Sequence, residues 1–193
     1  MIFASNNKGK LAEIKNIFSE EEILSLKEAN ITIDVIEDAD TFYGNALKKA
    51  QEIYEITRQE VIADDSGLCI EALNGWPGVL THRFAGENKT DLEINNAILE
   101  KCQTLSNRKA KVVCTLVYYD GKRAIVGEGI LPGNISLNPR GTNGFGFDPI
   151  FELEQGKTLA ELTSIEKNKC SARYLAAIDL KDKLQKYKNK LNQ

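Results

Sequence analysis

Histidine is nearly missing from this chain: one, His82, in 193 residues. Cysteine is scarce too. Cys69, Cys102, Cys114 and Cys170 stand far apart with no C-x-x-C pair. That pattern excludes a structural zinc site and a disulfide framework, and it fits free thiols in a reducing cytosol. No apolar run is long enough to span a bilayer, and the first residues do not resemble a signal peptide. A cytoplasmic protein with no membrane partner is therefore expected. A strongly basic balance is absent as well; the net charge of −3 gives no sign of a nucleic-acid partner. Five lysines from Lys181 to Lys190 are a local exception and read as the solvated end of a helix. Repeats, low-complexity tracts and linkers are lacking. With 42% apolar and 27% charged residues, the composition is that of a soluble globular protein. One domain over residues 1–193, of two lobes, is expected.

The most informative stretch is Val61-Ile62-Ala63-Asp64-Asp65-Ser66-Gly67-Leu68. An apolar strand runs into two adjacent carboxylates, and a turn is predicted at Ser66-Gly67. Neighbouring side chains on a strand face opposite ways, so only one of the two acids can face a given ligand. Carboxylates at a strand end suit a divalent cation and the phosphates it carries, although an Asp-rich turn has the same look.

Met1 to Ala4 predict a first strand, followed by Ser5-Asn6-Asn7-Lys8-Gly9-Lys10 and a helix with Leu11, Ile14, Ile17 and Phe18 on its apolar side. Ser and Asn cap helices, Gly9 lets backbone approach a ligand, and free N–H groups beside Lys8 and Lys10 make a natural phosphate site. A capped helix with solvated lysines is the alternative. Ile23 to Leu26 and Ile31 to Ile36 predict strands, which puts Glu37 at a strand exit, and Thr41 caps a helix beyond. A loop is expected at Asn74 to Gly78, and Thr90-x-x-Glu93 opens a helix running to about Leu105. Asp120-Gly121 joins the strands Val112 to Tyr119 and Arg123 to Ile130. Pro132-Gly133 should break the chain. Gly144-Phe145-Gly146-Phe147-Asp148-Pro149 alternates glycine with flat rings, which suits a loop stacking on a base, or equally a core turn. Capping boxes at Thr158 and Thr163 follow, and the second is expected to open a C-terminal helix packed through Leu175, Ile178 and Leu180. Strands and helices alternate with a hairpin inserted. The class is α/β, with an elongated two-lobed mixed sheet and a central cleft.

Four segments in this order carry a resemblance. They are Ser5 to Lys10; Glu37 with Thr41-Phe42 and Asn45-Ala46; Ala63 to Leu68; and Gly144 to Phe151. Glu166-Lys167-Asn168 and Ser171-Ala172-Arg173 extend it. Together they resemble the inosine triphosphatase family, pyrophosphatases of non-standard purine nucleoside triphosphates. The resemblance implies a Mg2+-dependent homodimer that cleaves ITP, dITP and XTP to the monophosphate and pyrophosphate. It implies a phosphate loop of Ser5, Asn6, Asn7, Lys8, Gly9 and Lys10, and metal ligation by Glu37 and Asp65. Asp65 doubles as proton acceptor, Lys10 acts beside it, and Ser66 touches substrate. Phe145, Gly146, Phe147 and Asp148 hold the base, with Lys167, Ala172 and Arg173 at its edge.

One departure stands out. The family usually reads Ser-His-Arg where this chain has Ser171-Ala172-Arg173, and His82 falls where an alanine is usual. Phosphate chemistry with altered or relaxed base selection is one consequence, with His82 as a substitute imidazole or simply a loop residue. A nucleotide sensor without turnover is the other alternative.

Overall fold

The computed structural model describes residues 1–86 and 89–191. Its strands and helices are β1 (Ile2–Phe3), α1 (Lys8–Ile17), β2 (Leu24–Ser25), α2 (Phe42–Thr57), β3 (Val61–Ile70), α3 (Asp91–Lys101), β4 (Lys109–Tyr119), β5 (Ala124–Ile135), β6 (Phe151–Glu152), α4 (Ser164–Lys167) and α5 (Ala172–Leu191). The strands form one six-stranded sheet in the order β2-β1-β3-β4-β5-β6. β1 runs parallel to both β2 and β3, whereas β5 and β6 are antiparallel, so the sheet is mixed and the class α/β. Among the described residues no helix is long and apolar enough to cross a membrane.

The chain divides into two compact units. The first comprises Met1–Ser66, Cys114–Gly129 and Ala172–Gln193. One of its cores packs Ala46, Ala50 and Ile53 of α2, at helical spacing, on Ile2, Val61, Ala63 and Val117. Thr41 caps α2 as expected, its hydroxyl accepting the Gly44 N–H at 3.0 Å. Elsewhere in this unit α1 packs on α5. Here the expected contacts need correcting: Leu175 and Ile178 are exposed, and the buried face of α5 is Ala172, Ala176, Ala177, Leu180 and Leu184. The cause is close approach. A Cβ on Gly129 would lie 2.0 Å from the Ala172 carbonyl oxygen, and one on Gly127 2.2 Å from that of Ala176. Helix backbone rests on strand backbone, so only small side chains fit the seam.

The second unit comprises Gly67–Val113 and Ile130–Ser171. Leu68, Ile70, Ile98, Ile135, Ile150 and Phe151 are fully buried or nearly so. Arg108 ties its loops together, donating to the carbonyls of Cys102, Ile135 and Ser136 at 2.6, 2.8 and 2.6 Å. The capping box at Thr90 is present and opens α3, which ends at Lys101.

Four expectations fail for local reasons. Ile31 to Ile36 form no strand: Ile33 and Ile36 are exposed, Ile31 is buried in the core and Val35 packs against it. Pro132 does not break the chain but lies within β5. On β5 the partners of β6 are Asn134 and Ile135, so Pro132 lies beyond that pairing, where sheets tolerate proline. No turn forms at Ser66-Gly67, because β3 runs straight through both. Finally, Thr163 opens only the single turn of α4, and the long C-terminal helix starts afresh at Ala172.

Candidate active site

In the first unit the predicted phosphate loop is a well-capped helix start. The Asn7 carboxamide oxygen accepts the N–H groups of Gly9 at 2.9 Å and Lys10 at 3.1 Å. Those two donors are thus already satisfied by the cap, as expected of an Asn at this junction. Ser5 Oγ accepts the Asn7 N–H at 3.2 Å, and Asn6 Oδ1 accepts that of Lys27 at 3.0 Å. Lys8 is exposed on the first turn. Lys10 turns inward to Asp64, 3.1 Å from its carboxylate.

Asp64 and Asp65 are both buried, and alternation on β3 sends them to different neighbours. Asp64 receives Lys10 and the Arg173 guanidinium, whose Nη2 lies 3.0 Å away. Arg173 also holds Glu13 at 2.6 Å and Ser66 Oγ at 3.2 Å. Burial alone would raise the Asp64 pKa; the charges of Lys10, Arg173 and Lys49 outweigh it and hold the carboxyl well below the ordinary range. Asp65 accepts the Asn45 carboxamide N–H at 2.8 Å and the Ser66 backbone N–H at 2.9 Å. Burial pushes its pKa up to about 6, with the charges of Glu37 and Asp64 adding and the Asn45 bond and Lys49 opposing.

Lys49, one turn beyond Asn45 on α2, completes the group. Its ammonium donates to the Glu37 carboxylate and to the Asp64 carbonyl. Burial would discharge it, but the charges of Asp64 and Glu37 prevail and raise its pKa. Glu37 and Asp65 thus share one electrostatic neighbourhood. Among the described residues no three His, Cys, Asp or Glu side chains converge as a ready-made metal cage. The donors suit Mg2+ all the same. It takes one or two carboxylates and completes its shell with water and substrate phosphate, and the Lys49 ammonium already rests against one of them, that of Glu37.

The base-holding candidates of the second unit also come together. Lys167 Nζ lies 2.7 Å from Asp148 Oδ2 and 4.1 Å from the centre of the Phe145 ring. The same Asp148 oxygen accepts the Phe145 N–H at 2.8 Å. Phe145 and Phe147 are half-buried on an irregular loop, as predicted. Gly146 within it has φ +61°, and a Cβ there would lie 3.7 Å from His82 Cε1. Ala172 and Arg173 belong to the first unit, where Arg173 binds Asp64 and Glu13. A cavity of about 600 Å³, also in the second unit, is lined by Cys69, Lys111, Pro132 and Glu154 among others, and by none of the nominated residues.

Sequence reasoning missed Lys49, Asn45 and Glu13 as members of the site. Asn45 and Lys49 were findable: they stand one helical turn apart beside the apolar stripe of α2, and a helix flank that close to a core buries polar groups only with partners. Glu13 carried no such signal.

The Ham1 family model matches residues 1–183. The chain belongs to the Ham1 family. Its relatives include the dITP/XTP pyrophosphatase of Clostridium perfringens, 45% identical over 95% of this chain and 96% of that protein. Another is the dITP/XTP pyrophosphatase of Clostridium tetani, 40% identical over 97% and 96%. Among solved structures of the family, the Staphylococcus aureus Ham1 protein superposes with a TM-score of 0.87 at 36% identity, covering 96% of this chain and 98% of that one.

Proposed function

We propose that this chain hydrolyses the triphosphates of deaminated purines (ITP, dITP and XTP) to the monophosphate and pyrophosphate, and so clears them from the nucleotide pool. The observation that carries the reading is the buried Asp65, its pKa raised, within the electrostatic reach of the Glu37–Lys49 pair. The names of the Ham1 relatives support it.

Asp65 takes a proton from the attacking water. Water adds to phosphorus, the α,β P–O bond breaks, and pyrophosphate leaves with that electron pair. Mg2+ held by Glu37 and Asp65 would offset phosphate charge and favour the ionised form of Asp65. Lys10 and Lys49 add fixed positive charge, and Asn45 orients the Asp65 carboxylate. Lys167 is donor-only, so it donates to the C6 carbonyl of hypoxanthine or xanthine and leaves the amino group of adenine badly paired. Phe145 offers its ring face to the base. The protein acts in the cytoplasm as a homodimer.

A second reading, altered purine selection, is favoured by one observation: the His82 imidazole lies against Gly146 in the base loop. A panel of ITP, XTP, GTP and ATP with Mg2+, assayed separately for pyrophosphate and phosphate, tests both. Strong ITP and XTP turnover with pyrophosphate as product is expected. Tight binding without product would make the protein a sensor instead, and equal turnover of all four would establish relaxed selection.

A further inference from the structure

The loop proposed to hold the base is braced from outside as well as by its own Asp148. Gly146, between the two phenylalanines, has both backbone groups bound by one helix. Its N–H donates to Asp91 Oδ2 at 2.7 Å, and its carbonyl accepts from Asn95 Nδ2 at 2.9 Å. Asp91 and Asn95 stand one turn apart at the start of α3, so they present their side chains on one face. A residue whose two flanking peptide units are both held by one regular helix has little freedom to rotate, and the rings on either side inherit that constraint.

Asn95 is costly where it stands. It is 3% exposed, and its Oδ1 is buried with no hydrogen-bond partner among the described residues. An unsatisfied buried acceptor destabilises a fold, and an apolar side chain of similar shape would avoid the cost. Stability therefore does not explain the carboxamide. Its single engaged donor, the one on Gly146, does.

We propose that Asn95, with Asp91, is a positioning residue for purine selection: the pair fixes Gly146 so that Phe145 and Lys167 meet the base in one orientation. The pair acts through the loop and does not touch the reacting atoms. This deepens the proposed function and rests on the Phe145–Lys167 reading of the base.

The test uses the full-length protein with Asn95→Leu and Asn95→Asp. The first keeps the shape and removes both polar atoms; the second turns a carboxylate oxygen toward the Gly146 carbonyl. Steady-state kinetics with ITP and ATP are measured beside thermal unfolding. For Asn95→Leu we expect a Tm equal to or above the parent's, a KM for ITP raised about tenfold, kcat within about threefold, and a smaller ITP-over-ATP ratio of kcat/KM. Asn95→Asp should lose more of that ratio. Asp91→Asn keeps an acceptor for the Gly146 N–H and should retain most of the preference that Asp91→Ala loses. An unchanged KM and base ratio in Asn95→Leu, with a parent that prefers ITP, overturns this role alone. A lowered Tm with an unchanged ratio makes Asn95 a packing residue and also overturns it. A parent with no preference removes the base site itself, and this role with it.

Discussion

Asp64 and Asp65 are consecutive on β3 and titrate in opposite directions: the first is held down by Lys10, Arg173 and Lys49, the second is pushed up to about 6 by burial and by Glu37. Strand alternation is the whole cause. One residue's shift in the chain exchanges a cationic neighbourhood for an apolar and anionic one, and it gives the two acids different work.

Asp65→Asn should abolish nearly all turnover, by a factor of roughly 10³ or more, because it removes both the proton acceptor and a metal ligand. Without metal it should behave differently. The folded-state pKa of Asp65 lies above the ordinary 3.8, so its ionisation favours the unfolded chain. The stability it contributes is highest below about pH 4, falls as pH climbs to about 6, and is level above that. A rise from 3.8 to about 6 corresponds to about 3 kcal/mol. Relative to the parent, the variant should therefore gain up to that amount between pH 4 and pH 8, read by urea unfolding in EDTA.

Asp64→Asn should destabilise by about 3–5 kcal/mol at neutral pH, since it strands the buried charges of Lys10 and Arg173. Here the folded-state pKa is depressed, so the stabilisation is present above about pH 4 and disappears as pH falls further. Chemical denaturation at pH 7 and pH 3 checks it: the gap between variant and parent should begin to narrow at pH 3 without closing, because the folded-state pKa lies lower still.

Lys49→Met should move the acidic limb of the kcat/KM profile upward by about one pH unit. The Lys49 charge opposes the rise in the Asp65 pKa, so its loss lets that pKa climb and demands a higher pH for the ionised base. A limb that stays in place would place Lys49 outside the electrostatics of Asp65.

Gly129→Ala should cost about 1–3 kcal/mol, because its Cβ would meet the backbone oxygen of Ala172 at 2.0 Å and no rotamer relieves the overlap. Pushing the start of α5 outward also drags Arg173 from Asp64, so kcat/KM should fall with Tm. Calorimetry and kinetics on one preparation measure both.

Removing divalent metal with EDTA should stop pyrophosphate release, and Mg2+ should restore it. Glu37→Gln should raise the Mg2+ concentration needed for half-maximal rate by about tenfold or more. An unaltered requirement would take Glu37 out of the metal's coordination.

Local chemistry was readable from the sequence. The caps at Asn7, Thr41 and Thr90, the apolar stripe of α2 and the glycine–aromatic loop all depend on neighbours within a turn or two, and each appears in the structure. What depended on distant neighbours was not. Ile31 to Ile36 has the composition of a strand but no pairing partner there, and Pro132 reads as a breaker until the shortness of β6 is known. The resemblance gathered Lys10, Glu37, Asp65 and Lys167 as site residues, whereas the pairing of Arg173 with Asp64 and Glu13 spans 109 and 160 positions and left no local trace.

That pairing makes α5 a brace for the acids of other elements. Asp64 on β3 and Glu13 on α1 share one guanidinium, and the depressed pKa of Asp64 is partly owed to it. A chain in which the start of α5 came away from this unit would leave two buried carboxylates without that cation, so its loss would be felt on β3 before anywhere else.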